Sequence, residues 1–96
     1  YDQQLNEDQL EIATIEGYVG PGYGVAGQEV FDIIAELARS EGLFLDPVYT
    51  GKAFHGMVSE IQKGDVGQLS GASNVVFIHT GGLFGVFPQQ QNFSFD

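Results

Sequence analysis

Between Gln28 and Ser40 the apolar residues Val30, Ile33, Ile34, Leu37 and Ala38 recur at i, i+3, i+4, i+7 and i+8, which lays one stripe along an α-helix. Glu29 and Asp32 near its start and Arg39 in its last turn suit the helix dipole, and Gly42 supplies a C-terminal stop. The pattern predicts a second helix over Thr50–Lys63, with Ala53, Met57, Val58 and Ile61 turned inward, Thr50 as N-cap and Gly64 as stop. The other apolar runs lack that period. Leu10–Val19, with Ile12, Thr14, Ile15, Tyr18 and Val19, reads as a short strand. Leu43–Leu45 reads as a short buried strand halted by Asp46-Pro47. Asn74–Thr80, NVVFIHT, is a continuous β-branched and aromatic run of the kind buried on both faces of a parallel sheet. Leu83–Phe87 starts a short helix before Pro88, while residues 1–9 and the polar tail 89–96 carry no structural pattern.

The predicted order β, α, β, α, β implies an α/β fold with a mainly parallel sheet in a three-layer structure. Two helices cannot cover both faces of three strands, so the VVFIH run would stand exposed and invite aggregation. The pattern therefore describes part of a larger layered domain rather than a complete one. The first residue is Tyr1 rather than Met, which fits the same expectation.

Composition narrows the partners. The chain has 96 residues and no cysteine, so neither a disulfide nor a thiolate metal site is available, and a cytoplasmic setting is expected. With 13 acidic and 3 basic residues the net charge is -10, which disfavours nucleic acid and anionic membranes. No apolar run approaches the length of a membrane span, and no leader pattern opens the chain.

Three stretches carry candidate chemistry. GYGVAG, residues 22–27, matches the G-x-G-x-x-G fingerprint of a dinucleotide-binding turn, with Asp46 about 20 positions on. Gly17, Gly20 and Pro21 interrupt the approach from the strand, however, and Tyr23 would crowd a phosphate, so the motif reads poorly as a cradle. In LDPVYTGKAFHGM, residues 45–57, Tyr49 and Thr50 lie at a strand-to-helix turn, where α/β proteins place ligands. Tyr49 reads equally as a packed aromatic with a solvated hydroxyl. Lys52 and His55 read as a solvated lysine and a partly buried histidine. In FIHTGGLFG, residues 77–85, Thr80 and Gly81 fall at the same edge of the sheet. His55 and His79 do not make a metal site, and none is expected.

GPGYG, EGLFLDPVYTGKAFHGM and VVFIHTGGLFGVFP together resemble the C-terminal segment of the 1-aminocyclopropane-1-carboxylate deaminase / D-cysteine desulfhydrase family. These are pyridoxal-phosphate enzymes related to the tryptophan synthase β chain. The resemblance runs from about Glu16 to Pro88 and implies that residues 1–96 form the C-terminal portion of one enzyme domain. It implies pyridoxal 5'-phosphate as cofactor and Tyr23 and Tyr49 as the active-site tyrosines. It also implies Tyr49, Thr50, Thr80 and Gly81 beside the cofactor, with Thr80 near the pyridine nitrogen. The Schiff-base lysine and the main phosphate loop belong to an earlier part of the family's chain, and Lys52 does not occupy that lysine's place in the motif. The implied partners are a small amino-acid substrate, the rest of the parent chain and a second subunit in a homodimer.

The resemblance further implies a lyase. The family's deaminase branch commonly carries PVYEG and H-L-G-G where this sequence has Thr50 and Thr80. A neutral hydroxyl cannot hold a full proton on the pyridine nitrogen, which weakens the electron sink and suits a good leaving group. The expected reaction is β-elimination on D-cysteine, giving pyruvate, sulfide and ammonia. Alternatives are deamination of 1-aminocyclopropane-1-carboxylate and elimination of sulfite from L-cysteate. From other classes, a non-catalytic acidic binding module stands next, and a dinucleotide domain after it.

Overall fold

The computed structural model describes residues 13–94. Two helices pack against each other: α1, Gln28–Glu41, and α2, Thr50–Gln62. Both match the predicted spans to within a residue. Gly42 ends α1 with φ +67°, and its amide returns to the Ala38 carbonyl at 3.1 Å. Gly64 follows α2 at φ +60° and opens a single 3₁₀ turn, Gly64–Val66.

The inward faces differ from the apolar stripes. In α1 the buried residues are Val30, Phe31, Ile34 and Ala35, because Phe93 packs edge-on against Phe31 with ring centroids 5.0 Å apart. In α2 the buried residues are Thr50, Gly51, Lys52, Gly56 and Glu60, while Ala53 and Ile61 face out. Polar residues replace the expected apolar ones there because each buried head finds a partner. Glycines replace them because the helix is approached closely. A Cβ on Gly51 would stand 2.5 Å from the Asp46 carbonyl and 2.7 Å from Ile34 Cδ1, and one on Gly56 would stand 3.1 Å from the Tyr18 ring. The apolar core is small: Val30, Ile34 and Leu45, with Ala26, Leu37, Phe54, Phe77 and Phe93 around them.

The parallel sheet is not present among the described residues. The segments at 13–19, 43–45 and 74–80, expected as strands, form no ladder with one another, and residues 10–12 lie outside the described residues. A strand exists only through its neighbour's hydrogen bonds, and the contact between the second and third segments is a side-chain one, His79 Nε2 to the Phe44 carbonyl at 2.7 Å. Val76 and Ile78 of the expected double-buried run are largely exposed. The C-terminal region is more ordered than its pattern suggested. A 3₁₀ turn spans Leu83–Gly85, a second run of 3₁₀ character spans Phe87–Asn92, and Phe93 returns to the core.

Candidate active site

Asp46 organises the turn into α2. Its Oδ1 accepts the amides of Val48 at 2.9 Å and Tyr49 at 2.8 Å. Its Oδ2 accepts the Thr50 amide at 3.1 Å and the Thr50 hydroxyl at 2.7 Å. The Asp46 amide donates to Thr50 Oγ1 at 2.8 Å, and the Asp46 carbonyl accepts the Gly51 amide at 2.7 Å. Asp46, not Thr50, therefore satisfies the free amides at the helix start, with its side chain reaching forward as an Asp before proline readily does. Burial pushes the Asp46 carboxyl up, but its bonds to Tyr49, Thr50 and Val48 together outweigh that and hold it below the usual carboxylate range.

The loop at 79–85 closes on the same residue. Gly81 donates its amide to His79 Nδ1 at 3.0 Å, which with the Nε2 bond to Phe44 fixes the neutral tautomer of His79 with its proton on Nε2. Gly82, at φ +93°, lies so close that a Cβ there would stand 2.5 Å from Asp46 Oδ2. Thr80 is exposed between them.

Tyr49 leaves this turn pointing outward, and Tyr23 meets it from a second turn. Gly22 and Val25 close that turn, the Val25 amide donating to the Gly22 carbonyl at 3.1 Å. Tyr23 stands at its corner, followed by Gly24 at φ +71°, the position where a turn of this kind needs glycine. The GYG glycines thus shape a turn that presents a tyrosine. The two phenol oxygens are 2.6 Å apart, with the rings edge-on at 6.0 Å between centroids. The bond to Tyr23 holds the Tyr49 phenol above its usual range. Both tyrosines line an open, mainly apolar cavity of about 370 Å³, together with Ile15, Tyr18, Val48 and Lys52.

The predicted site residues thus divide. Tyr23 and Tyr49 meet directly, while Thr80 and Gly81 stand on the loop that abuts Asp46. Thr50 is buried, with its hydroxyl committed to Asp46 in both directions. Lys52, read as solvated, is only 8% exposed and donates from Nζ to the Gly22 carbonyl at 2.9 Å. Two further residues were not singled out by the sequence. Tyr18 donates to Glu60, which also accepts from Lys63 Nζ at 2.6 Å and from the Gln68 amide at 2.8 Å. The Lys63 bond foremost, then those of Tyr18 and Gln68, draws the Glu60 carboxyl down to about 2. The i, i+3 spacing of Glu60 and Lys63 was a legible signal for the ion pair, but nothing local announces Tyr18 from 42 residues away. Among the described residues no group of three or more His, Asp or Glu could hold a metal ion, and no helix is long and apolar enough to cross a membrane.

Two phenols thus meet at an open cavity, and Thr80 stands on a separate loop that abuts Asp46. Residues 2–81 match the model of the pyridoxal-phosphate dependent enzymes, and the chain belongs to that family. The family uses pyridoxal phosphate and has the tryptophan synthase β-like fold. A Thermotoga maritima protein named provisionally as a 1-aminocyclopropane-1-carboxylate deaminase is 42% identical over 91 residues, 95% of this chain and 26% of its own length. Proteins named in the same provisional way from Pyrococcus abyssi and Pyrococcus horikoshii are 51% identical over 79 residues and 48% identical over 65. Those matches cover 82% and 68% of this chain, and 22% and 18% of the relatives. The chain thus spans about a quarter or less of the length of these curated relatives. No solved structure matches it significantly.

Proposed function

We propose that this chain is the C-terminal portion of a pyridoxal-phosphate-dependent lyase, and that Tyr23 and Tyr49 are its reacting pair. The observation that carries the reading is the 2.6 Å contact between two exposed phenols from turns 26 residues apart. An edge-on ring contact alone would not bring the two hydroxyls together, and a shared hydrogen bond at a cavity wall gives them a chemical use.

The residues fit the ring side of the cofactor. Thr80 offers a neutral hydroxyl, exposed and without a hydrogen-bond partner among the described residues, on a loop fixed by His79 and Asp46. Tyr49 and Tyr23 offer phenol groups to the reacting side. The bound cofactor supplies the electron sink for the carbanion left when the substrate Cα loses its proton. Tyr49 is a phenol whose bond to Tyr23 holds it above its usual range, so it carries its proton at neutral pH as any phenol does. It is the proton donor we assign to the departing group, while Tyr23 holds the phenol in line. The apolar side chains of Ile15 and Val48 and the Tyr18 ring flank the two phenols.

The substrate we propose is D-cysteine. The Cα–H and Cβ–S bonds break, the sulfur leaves as sulfide with a proton, and addition of water releases pyruvate and ammonia. With Thr50 committed to Asp46, Thr80 is the threonine left to face the cofactor ring, and its neutral hydroxyl suits a good leaving group better than an unactivated ring. The names of the curated relatives favour a second reading, opening of 1-aminocyclopropane-1-carboxylate to 2-oxobutanoate and ammonia. Acting on either substrate requires the remainder of the parent chain, which is expected to form a homodimer. The test is to assay the full-length protein on D-cysteine, L-cysteate and 1-aminocyclopropane-1-carboxylate side by side. D-cysteine is expected to give the highest kcat/KM. The cyclopropane as best substrate would leave the lyase standing and remove the D-cysteine assignment. No turnover of any of the three, in a protein that retains the cofactor, would remove both.

A further inference from the structure

Tyr23 is 80% exposed and Tyr49 60% exposed, so packing does little to hold either ring where it stands. Tyr49 is fixed by the bond from its amide to Asp46 and by its place at the N-cap, directly before α2. Tyr23 has no such helix. Its turn is held through one carbonyl, that of Gly22, which accepts the Val25 amide at 3.1 Å from within the turn and Lys52 Nζ at 2.9 Å from α2. Lys52 is an unusual residue to bury at 8% exposure, because no carboxylate lies within ion-pair distance of it among the described residues. An ammonium without a counter-charge is costly to bury unless its bonds matter. The bond it makes reaches the residue directly before Tyr23. Lys52 also stands in the first turn of α2, three positions after Tyr49. One rigid helix end therefore carries Tyr49 and the clasp on the Tyr23 turn together, and the phenol-to-phenol distance is set through it.

We propose that Lys52 is a positioning residue, whose bond to the Gly22 carbonyl places the Tyr23 hydroxyl on Tyr49. Its catalytic consequence rests on the reading of the two tyrosines as the reacting pair. The test uses the full-length protein with 3-fluorotyrosine at position 23 and reads the fluorine resonance, which reports the phenol's hydrogen bond without turnover. Tyr49→Phe gives the reference for an unpaired Tyr23. Lys52→Met is expected to move the resonance to that reference, and Lys52→Arg, which keeps a charged donor, to leave it near the native position. A native resonance in Lys52→Met overturns the inference. In parallel, Lys52→Met is expected to lower kcat/KM by about 10- to 100-fold, the scale of a displacement of roughly 1 Å in a reacting group. It should add no further loss in a Tyr23→Phe background, and equal losses in both backgrounds overturn the inference while leaving the proposed function intact. Full activity in Tyr23→Phe instead removes the tyrosine pair from the proposed function, and the fluorine signal still decides the clasp. If circular dichroism shows that Lys52→Met does not fold, lysine acylation of the native protein decides. Lys52 is expected to resist acylation in the native protein and to react once the protein is unfolded in denaturant, and equal reactivity in the two states overturns the inference.

Discussion

Replacing Asp46 by asparagine changes one oxygen for an NH₂ group and leaves the volume nearly constant, so its cost measures the hydrogen bonds alone. In the native turn the carboxylate is 2% exposed and accepts four donors, the amides of Val48, Tyr49 and Thr50 and the Thr50 hydroxyl. The asparagine oxygen can keep the Val48 and Tyr49 amides. Its NH₂ then faces two donors on Thr50. The hydroxyl already accepts from the Asp46 amide and gains little by turning, and the Thr50 amide loses its acceptor. One buried amide without an acceptor costs about 1–3 kcal/mol, and turning the two surviving charge-assisted bonds into neutral ones costs about 1 kcal/mol each. The local destabilisation is therefore about 3–5 kcal/mol, which converts to opening of the turn about 100-fold more often, or more still, at 1.36 kcal/mol per decade. The assay is hydrogen exchange by mass spectrometry on the peptide spanning residues 46–54 of the full-length protein. Thr50→Ser, which keeps the hydroxyl, serves as the control and is expected to exchange at close to the native rate. Native exchange rates across that peptide in Asp46→Asn would refute the reasoning, since the carboxylate would then not be what holds the helix start.

Other consequences follow from the same contacts. Tyr49→Phe in the full-length enzyme is expected to lower kcat by about 10²- to 10⁴-fold with cofactor content unchanged, as for a lost general acid; full turnover would make the phenol a packing group. Gly82→Ala is expected to destabilise the 79–85 loop by more than about 1 kcal/mol, because a Cβ would meet Asp46 Oδ2 at 2.5 Å on a backbone at φ +93°, as read from the thermal midpoint. Leu45→Ala is expected to cost about 2–5 kcal/mol in denaturant unfolding, since Leu45 is fully buried in a core with few other large side chains. For Glu60 the folded value of about 2 lies below the ordinary carboxylate value, so its contribution is complete above that ordinary value. It is lost as pH falls through the folded value, and the acid limb of the stability profile is expected to flatten in Glu60→Gln; an unchanged limb would show that the Tyr18–Glu60–Lys63 cluster does not form.

Local interactions were legible in the sequence because their causes are local. The 3.6-residue period placed α1 and α2, and Gly42 and Gly64 marked their ends through the left-handed conformations that glycine tolerates. The GPGYG, PVYTGK and HTGG motifs pointed to the family, and GPGYG and PVYTGK to Tyr23 and Tyr49 as its candidate chemistry, from residue identity and order. Apolar period failed where burial is decided by partners rather than by hydrophobicity. Lys52 and Glu60 are inside α2 because the Gly22 carbonyl and the Tyr18, Lys63 and Gln68 donors come to meet them, and those groups lie up to 42 residues away. Thr50 looked like a helix cap and Asp46 like a strand end. Only the folded turn shows the carboxylate doing the capping, because a side chain reaching forward four positions is a matter of torsion angles, not of composition. The three apolar runs had the β-propensity of strands, yet propensity creates no ladder. A strand needs a neighbour's amides and carbonyls in register, and tertiary placement alone supplies or withholds them.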